Sequence, residues 1–469
     1  MRTHSSDWHR ACRRGRLLIM KISVIGCGYL GAVHAACLAT LGHEVIGIES
    51  DPERAALLNA GEPTFYEPEL PEVLERALAT GRLRFTSDPA AAGGCRVHFL
   101  CVGTPQRSDS PAADLSVLWA AARSLLPHLR AGDLVVGKST VPVDTAARLA
   151  ELINDAGSVG LAWNPEFLRE GTAVADTLHP DRLVYGVPPE SDLEQPTGEY
   201  GRPDAVAVLD EIYADQRAAG TPRIVTDYAT AELVKAAANS FLATKISFIN
   251  AMAELCEATG GDVRHLADAL GLDDRIGHRF LNAGLGFGGG CLPKDVRAFT
   301  ARSEELGLGR PAELLRTVDK INSERRQAAA SLTSRMLDDS LPGRRVTVLG
   351  ATFKPDSDDV RCSPALDLAA RLHDRGARVL VTDPRGVDNA RKAYPDLDLT
   401  TDLEAAITGA DVLVLATEWR VYRELDPEWI GTLVAQRRIV DCRNVLDLEV
   451  WRRFGWSVAA LGRPGLVSH

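Results

Sequence analysis

The run Gly284-Leu285-Gly286-Phe287-Gly288-Gly289-Gly290-Cys291-Leu292-Pro293-Lys294-Asp295 places a thiol directly after a cluster of glycines. Glycine loses more backbone freedom on folding than any other residue, so a merely structural loop would rarely gather so many. Beside Lys294 and at the expected start of a helix, Cys291 has its thiolate favoured, which suits a nucleophile. The other reading is an inert buried cysteine of the kind expected at Cys27 or Cys101. Lys235 and Asn239 stand four apart in a helical stretch and share one face. A lysine on such a helix is ordinarily solvated or snorkelling. Here the stretch is apolar on most sides, which leaves a buried and functional lysine equally open.

A second pattern, Gly26-Cys27-Gly28-Tyr29-Leu30-Gly31, follows an apolar strand and opens an alanine-rich helix, and Glu49 ends the next strand. In that setting the glycines permit a tight turn, close approach of a pyrophosphate and close helix packing, while the helix N-terminus supplies partial positive charge. Glu49 can accept both ribose hydroxyls of NAD. A 2′-phosphate about 5 Å away would be repelled by about 3 kcal/mol per unit charge at an effective dielectric of about 20, so NAD is expected and NADP is not. Thr104, Thr140, Glu166 and Glu170 follow further apolar runs, where ligands bind in an open α/β sheet. Threonine and glutamate in such places also serve as caps, so position alone leaves their role open.

The elements that must hold these residues follow from periodicity. Lys21 to Ile25, Ala32 to Leu41 and Glu44 to Glu49 read as strand, helix and strand. Apolar runs at Val97 to Val102, Leu134 to Val136 and Leu161 to Trp163 each end in a polar or glycine-rich turn, which predicts a parallel, doubly wound sheet. From Asp227, a ready N-cap, to Gly260-Gly261 there is neither proline nor glycine, which predicts one helix of roughly 45 to 50 Å. The C-terminal third repeats the opening pattern at Arg345 to Gly350, Gly376 to Pro384 and Ala410 to Leu415, without the glycine fingerprint. The expected fold is therefore α/β: two Rossmann-like doubly wound domains joined by a long central helix and a small helical domain. Residues 1–19 are expected to be a disordered extension, 20–222 the NAD-binding domain, 223–322 a helical dimerisation domain and 323–469 the second Rossmann-like domain.

At 469 residues the chain exceeds one hydrophobic core, and its apolar content of 45% excludes global disorder. The net charge of -11 opposes a nucleic-acid or anionic-membrane partner, so an anionic small ligand needs its own cluster of Arg and Lys. Nine scattered cysteines without a Cys-x-x-Cys pair fit reduced thiols in a cytoplasm, and no metal site is expected. No apolar run approaches the roughly 18 residues of a membrane span. The basic segment before Met20 lacks the apolar core and cleavage site of a secretory signal.

With these residues assembled, the chain from Met20 resembles the nucleotide-sugar 6-dehydrogenases of the UDP-glucose/GDP-mannose dehydrogenase family. The matching blocks are Val24 to Gly31, Lys138-Ser139-Thr140-Val141-Pro142, Asn164-Pro165-Glu166-Phe167-Leu168-Arg169-Glu170, Glu232-Leu233-Val234-Lys235, the Cys291 block, and Phe353-Lys354-Pro355 with Asp359-Val360-Arg361. The resemblance implies that Cys291 is the nucleophile, with Thr140, Glu166, Lys235, Asn239 and Asp295 as the acid/base and water-positioning network. It implies that Gly26, Gly28, Tyr29, Leu30, Gly31, Glu49, Arg54, Thr104, Thr140, Glu170 and Lys294 bind NAD. Glu166, Phe167, Leu168, Lys235, Asn239, Phe287, Gly288, Lys354 and Arg443 would hold the sugar nucleotide, and Arg275 would reach across a homodimer interface. Glu49 stands where aspartate is commoner, Cys362 replaces an acid, and Gly290 replaces a frequent serine. The implied activity is a four-electron oxidation of UDP-glucose to UDP-glucuronate for polysaccharide synthesis. GDP-mannose or another nucleotide sugar is the alternative substrate, and a non-catalytic NAD-sensing protein is the alternative class.

Oxidising a primary alcohol to a carboxylic acid removes four electrons, and each NAD accepts two, so one site must support two hydride transfers. A cysteine thiohemiacetal makes the aldehyde a hydride donor again, and its oxidation gives a thioester that water cleaves. Lys235 and Asn239 suit the developing oxyanions, Asp295 or Glu166 can take protons, and Arg275, Lys354 and Arg443 supply charge for a diphosphate.

Overall fold

The computed structural model describes residues 19–154, 157–188 and 203–464. The expectation of a disordered N-terminal extension over residues 1–19 falls, but for Ile19, outside the described residues. Two compact units divide the chain after Ala237.

The first unit is built on an eight-stranded sheet ordered β3-β2-β1-β4-β5-β6-β7-β8. Its strands are β1 Lys21–Ile25, β2 Glu44–Ile48, β3 Leu83–Thr86, β4 Val97–Leu100, β5 Leu134–Gly137, β6 Gly160–Trp163, β7 Leu183–Val187 and β8 Arg223–Asp227. Every residue of β4, β5 and β6 is buried, as expected of parallel strands covered on both faces. Helix α1, Tyr29–Thr40, covers β1 with an unbroken buried run from Gly31 to Ala39. Helix α2, Thr145–Asn154, follows β5.

The sheet departs from the all-parallel expectation at one place. β6 and β7 pair antiparallel through Trp163 and Gly186. A parallel return needs a crossover packed on the sheet, whereas this connection carries the Asn164–Glu170 loop and only one short helix, Ala173–Leu178.

Helix α3, Tyr228–Thr259, begins in the first unit and ends in the second. Asp227 Oδ1 accepts from Thr230 N at 2.8 Å, which caps it as the sequence predicts, and Gly260 takes a left-handed φ of 77° just beyond its end. In the second unit α4, Leu292–Glu305, and α5, Gly309–Met336, join α3 through a small core of Ala243, Phe287, Val296, Leu315 and Val318. A six-stranded sheet follows, all parallel and ordered β11-β10-β9-β12-β13-β14. Its strands are β9 Arg345–Leu349, β10 Arg378–Thr382, β11 Asp398–Thr400, β12 Val412–Leu415, β13 Arg438–Asp441 and β14 Ser457–Ala460, with α6, Pro364–Asp374, between β9 and β10. The internal repeat read in the sequence is thus two sheets with the same order through six strands.

Candidate active site

In the first unit the turn after β1 is shaped by atoms that leave no room for a side chain. Gly26 has φ 86° and donates its N–H to Ile48 O at 2.8 Å. A Cβ on Gly31 would lie 1.8 Å from Gly26 O, so the third glycine is obligatory for α1 to start where it does. Gly28, the N-cap of α1, makes no side-chain cap and faces open space. These features fit a pyrophosphate on the first-turn N–H groups. Glu49 follows β2, buried, with Oε2 accepting from Cys27 N at 3.1 Å and Oε1 from Asp51 N at 3.2 Å. Arg54 pairs with it at 3.7 Å. The carboxylate is therefore fixed at the end of the strand, where a ribose of NAD would meet it.

Tyr29 has a further task. Its hydroxyl bonds to Glu67, whose carboxylate also accepts from Gly171 N at 2.6 Å and Ala173 N at 2.7 Å. Glu67 is 2% exposed, and it ties the start of α1 to the loop that carries Glu170. Burial, followed by the bond to Glu67, pushes the Tyr29 phenol well above its ordinary range. Leu30 packs partly buried against the first-unit core.

Residues at the C-terminal ends of β4, β5 and β6 meet the first turns of α3. Thr104 Oγ1 donates to Thr140 O at 2.7 Å. Lys235 Nζ pairs with Glu166 Oε1 at 3.0 Å, and Glu166 Oε2 accepts from Leu168 N at 2.5 Å. The Phe167 ring receives the Arg182 guanidinium at 3.7 Å and lies 5.8 Å from Lys235 Nζ. Lys235 is 5% exposed, which settles its position in favour of the buried reading.

Behind this group is Lys138, which reasoning from the sequence placed in a motif without a role. Its Nζ donates to Asn164 Oδ1 at 3.0 Å and to Tyr213 OH at 3.4 Å. Burial pushes its pKa down to about 8. It lines a cavity of about 40 Å³ together with Asn164, Glu166, Tyr213 and His34.

In the second unit Asn239 Nδ2 donates to Asp295 Oδ2 at 2.6 Å, and Lys294 Nζ pairs with Asp295 Oδ1 at 2.6 Å. Asp295 is buried and lies in the first turn of α4, where the helix dipole favours its charge. Cys291 occupies the N-cap position of α4 and is exposed. Cys27, Cys37, Cys95, Cys101, Cys256 and Cys442 are buried, and burial raises the pKa of each, to about 12 at Cys37 and Cys101 and about 11 at Cys95.

The glycines before Cys291 have steric reasons. Added Cβ atoms would come within 2.5 Å of Cys442 O at Gly284, 2.1 Å of Asn322 Oδ1 at Gly286, 2.4 Å of Cys362 O at Gly288, 2.7 Å of the Phe353 ring at Gly289 and 2.2 Å of the Arg361 guanidinium at Gly290. Asn322 clamps Phe287 from both sides, accepting its N–H at 2.7 Å and donating to its carbonyl at 3.0 Å. The loop is cast against the segment between β9 and α6. That segment holds Lys354, whose Nζ lies 5.5 Å from the Phe353 ring. Arg443 forms a bidentate pair with Glu418 at 2.6 and 3.0 Å, so its charge is already balanced within the chain. Arg275 is exposed and pairs with Asp273 at 2.6 Å. Among the described residues no cluster of His, Cys, Asp and Glu could hold a metal, and no helix is long and apolar enough to cross a membrane.

Three family models match the chain in order. They are the NAD binding domain of the UDP-glucose/GDP-mannose dehydrogenase family over residues 20–215, its central domain over 229–324 and its UDP binding domain over 347–448. A UDP-glucose 6-dehydrogenase of Rhizobium meliloti is 39% identical over 95% of this chain and 100% of its own length. The solved structure of a UDP-glucose dehydrogenase from the archaeon Pyrobaculum islandicum is similar with a TM-score of 0.84 and 38% identity, over 96% of this chain and 99% of that one. A UDP-D-ManNAc dehydrogenase from Pyrococcus horikoshii shares the architecture at a TM-score of 0.81 and 25% identity, over 95% of this chain and 100% of that one.

Proposed function

The chain belongs to the UDP-glucose/GDP-mannose dehydrogenase family and is an NAD-dependent oxidoreductase, and from that premise we propose that it oxidises UDP-glucose to UDP-glucuronate through a covalent Cys291 intermediate. The substrate follows the relatives that match over nearly their whole length. The observation that carries the mechanism is Cys291 itself, exposed at the head of α4 while six other cysteines are buried and held as thiols. The domain division we propose, 20–222, 223–322 and 323–469, runs alongside the three family matches.

NAD, when bound, accepts a hydride. The turn of Gly26, Gly28 and Gly31 holds its pyrophosphate and Glu49 its ribose, with Tyr29, Leu30, Arg54, Thr104, Thr140, Glu170 and Lys294 completing that site. Asp295 or Glu166 takes the hydroxyl proton as the alcohol carbon gives up its first hydride. The Cys291 sulfur then adds to the aldehyde carbon and the thiol proton passes to the carbonyl oxygen, which gives a thiohemiacetal. Loss of a second hydride and of the remaining hydroxyl proton leaves a thioester, and water breaks the carbon–sulfur bond to release carboxylate and regenerate the thiol. In total one alcohol, two NAD and one water give one carboxylate, two NADH and three protons. The Lys235 ammonium and the Asn239 amide stabilise the oxyanions of these steps. Phe167, Leu168, Phe287, Gly288, Lys354 and Arg443 hold the sugar nucleotide.

A homodimer is the assembly we propose, with Arg275 serving the partner's site. Phe241, Phe248 and Leu255 recur at seven-residue intervals on α3, and they are 66%, 48% and 56% exposed. Such a stripe suits a second copy of the helix better than water.

The test is NADH formation with a panel of UDP- and GDP-sugars. UDP-glucose should give the highest kcat/KM and two NADH per sugar consumed. Faster turnover of GDP-mannose would reassign the substrate, and steady release of free aldehyde would remove the covalent intermediate.

A further inference from the structure

Glu232 lies one turn before Lys235 on α3 and is 2% exposed, yet the reaction as written gives it no task. Its Oε2 accepts from Asp144 N at 3.0 Å and its Oε1 from Ala146 N at 2.6 Å. Those amides begin α2, directly after the loop Lys138-Ser139-Thr140-Val141-Pro142. The loop is also held by Thr104 through the Thr140 carbonyl, and Thr145 Oγ1 donates back to Pro142 O at 2.6 Å. One turn further along α3, Lys235 takes hold of Glu166. The opening turns of α3 therefore grip two loops, through Glu232 on one side and Lys235 on the other.

Accepting two diverging N–H groups at once needs an acceptor-only side chain. An amide at this place would turn an N–H donor toward one of them. Among the described residues no cation pairs with the charge. Asp144 faces Glu232 from the loop and opposes it, Lys235 is spent on Glu166, and the Arg148 guanidinium of α2 lies over the Trp119 ring at 5.2 Å. Burial, reinforced by the Asp144 charge and only partly offset by the amides of Ala146, Asp144 and Thr145, pushes the Glu232 pKa up to about 7. The fold is accordingly less stable with this carboxylate ionised than with it neutral, and a group retained against stability points to a role in the site.

We propose that Glu232 is a positioning residue whose ionised carboxylate fixes the Thr140 loop to the helix segment that carries Lys235. The proposal rests on the assignment of Thr140 and Lys235 to the oxidation site. When Glu232 takes a proton, one of its two oxygens ceases to accept, and the Thr140 loop loses one of its anchors. Because the folded-state pKa is raised above the ordinary value, protonation stabilises the fold as pH falls through about 7. Catalysis should move the other way.

The experiment measures kcat, KM for UDP-glucose and for NAD, and the thermal midpoint of the wild-type chain and of Glu232→Gln between pH 6 and 9. In the wild type kcat should fall as pH drops through about 7, while its midpoint rises relative to that of Glu232→Gln. The variant should lose about tenfold or more in kcat at pH 8 with KM values changed less than about threefold, and it should show no acid limb near neutrality. A variant within twofold of the wild-type kcat overturns the proposal. So does a wild-type profile in which activity and stability fall together, a reading that needs no variant to fold. A wild-type chain that makes no NADH from any nucleotide sugar would instead count against the proposed substrate, and is told apart because Glu232→Gln then has no activity to lose.

Discussion

The two sheets repeat one construction and use it differently. After β1 the chain turns at Gly26, whose N–H reaches Ile48 O, and after β9 it turns at Gly350, φ 112°, whose N–H reaches Thr382 O at 2.7 Å. Each turn is then pinned by an acid at the end of the next strand. Glu49 accepts from Cys27 N, and Asp383 accepts from Ala351 N at 2.7 Å. Here the likeness stops. Asp383 also receives Thr352 N, Thr352 Oγ1, Trp419 Nε1, Arg385 N and Gly386 N, and it is fully buried. Its oxygens have nothing left for a ribose. In the first half the helix follows the turn at once, at Tyr29, whereas in the second a loop bearing Phe353, Lys354 and Arg361 intervenes before Pro364. The same topology thus yields a dinucleotide cradle in one half and a wall for the Cys291 loop in the other.

Cations divide along the same line. In register, Lys138 follows β5 as Cys442 and Arg443 follow β13. Lys138 has no carboxylate within 4.0 Å among the described residues. Burial alone would lower Arg443, but the Glu418 carboxylate overrides it and holds the guanidinium above its ordinary value.

The largest effect expected is that of Cys291→Ala, which removes the proposed nucleophile and leaves both halves whole. UDP-glucuronate formation should drop by at least about a thousandfold, with the NAD dissociation constant within about twofold of the wild type. Acid production at an undiminished rate would exclude the covalent route. Asp383→Asn should next separate structure from cofactor. Turning an N–H donor into that saturated site should cost about 3 to 5 kcal/mol in urea unfolding, with NAD binding by the folded protein unchanged. Loss of NAD affinity without loss of stability would erase the contrast between the halves.

Glu49→Gln should do the reverse. NAD affinity should weaken by about tenfold and discrimination against NADP should shrink, since the repulsion of a 2′-phosphate disappears, while stability falls by less than in Asp383→Asn. Equal kcat/KM for the two cofactors in the wild type would remove Glu49 from this role. The smallest effect concerns Lys138. A lysine whose folded pKa lies below its ordinary value weakens the fold at neutral pH, and that weakness is relieved as pH rises from about 8 toward about 10.5. Compared with Lys138→Met, the wild type should gain about 1 to 2 kcal/mol in chemical unfolding between pH 7.5 and 9.5. Compared with Arg443→Met, whose target is paired, it should gain almost nothing over that window.

Legibility followed sequence separation. The Gly26 turn, the Asp227 cap and the run of glycines before Cys291 are local, and periodicity with backbone chemistry gives them directly. Glu67 was not legible, because it lies in no motif and earns its place through Tyr29, Gly171 and Ala173, which only the folded sheet brings to it. The same holds for Glu418 beneath Arg443 and Tyr213 beneath Lys138. Gly350 was visible as the echo of Gly26, but its positive φ and its bond to Thr382 O were not, because the rest of the fingerprint is missing around it. The glycines of the Cys291 loop were visible, but their cause was not: it is the bulk of Asn322, Phe353, Arg361 and Cys362 pressed against them.

The distribution of sulfur has one more consequence, for chemical vulnerability. Of the described cysteines only Cys291 and Cys362 reach solvent. A peroxide or an alkylating reagent arriving from outside meets these two, while the buried thiols, held protonated, react last. With Cys291 as the nucleophile proposed above, oxidative injury to this protein would be recorded first as lost turnover, before any strand or helix had been disturbed.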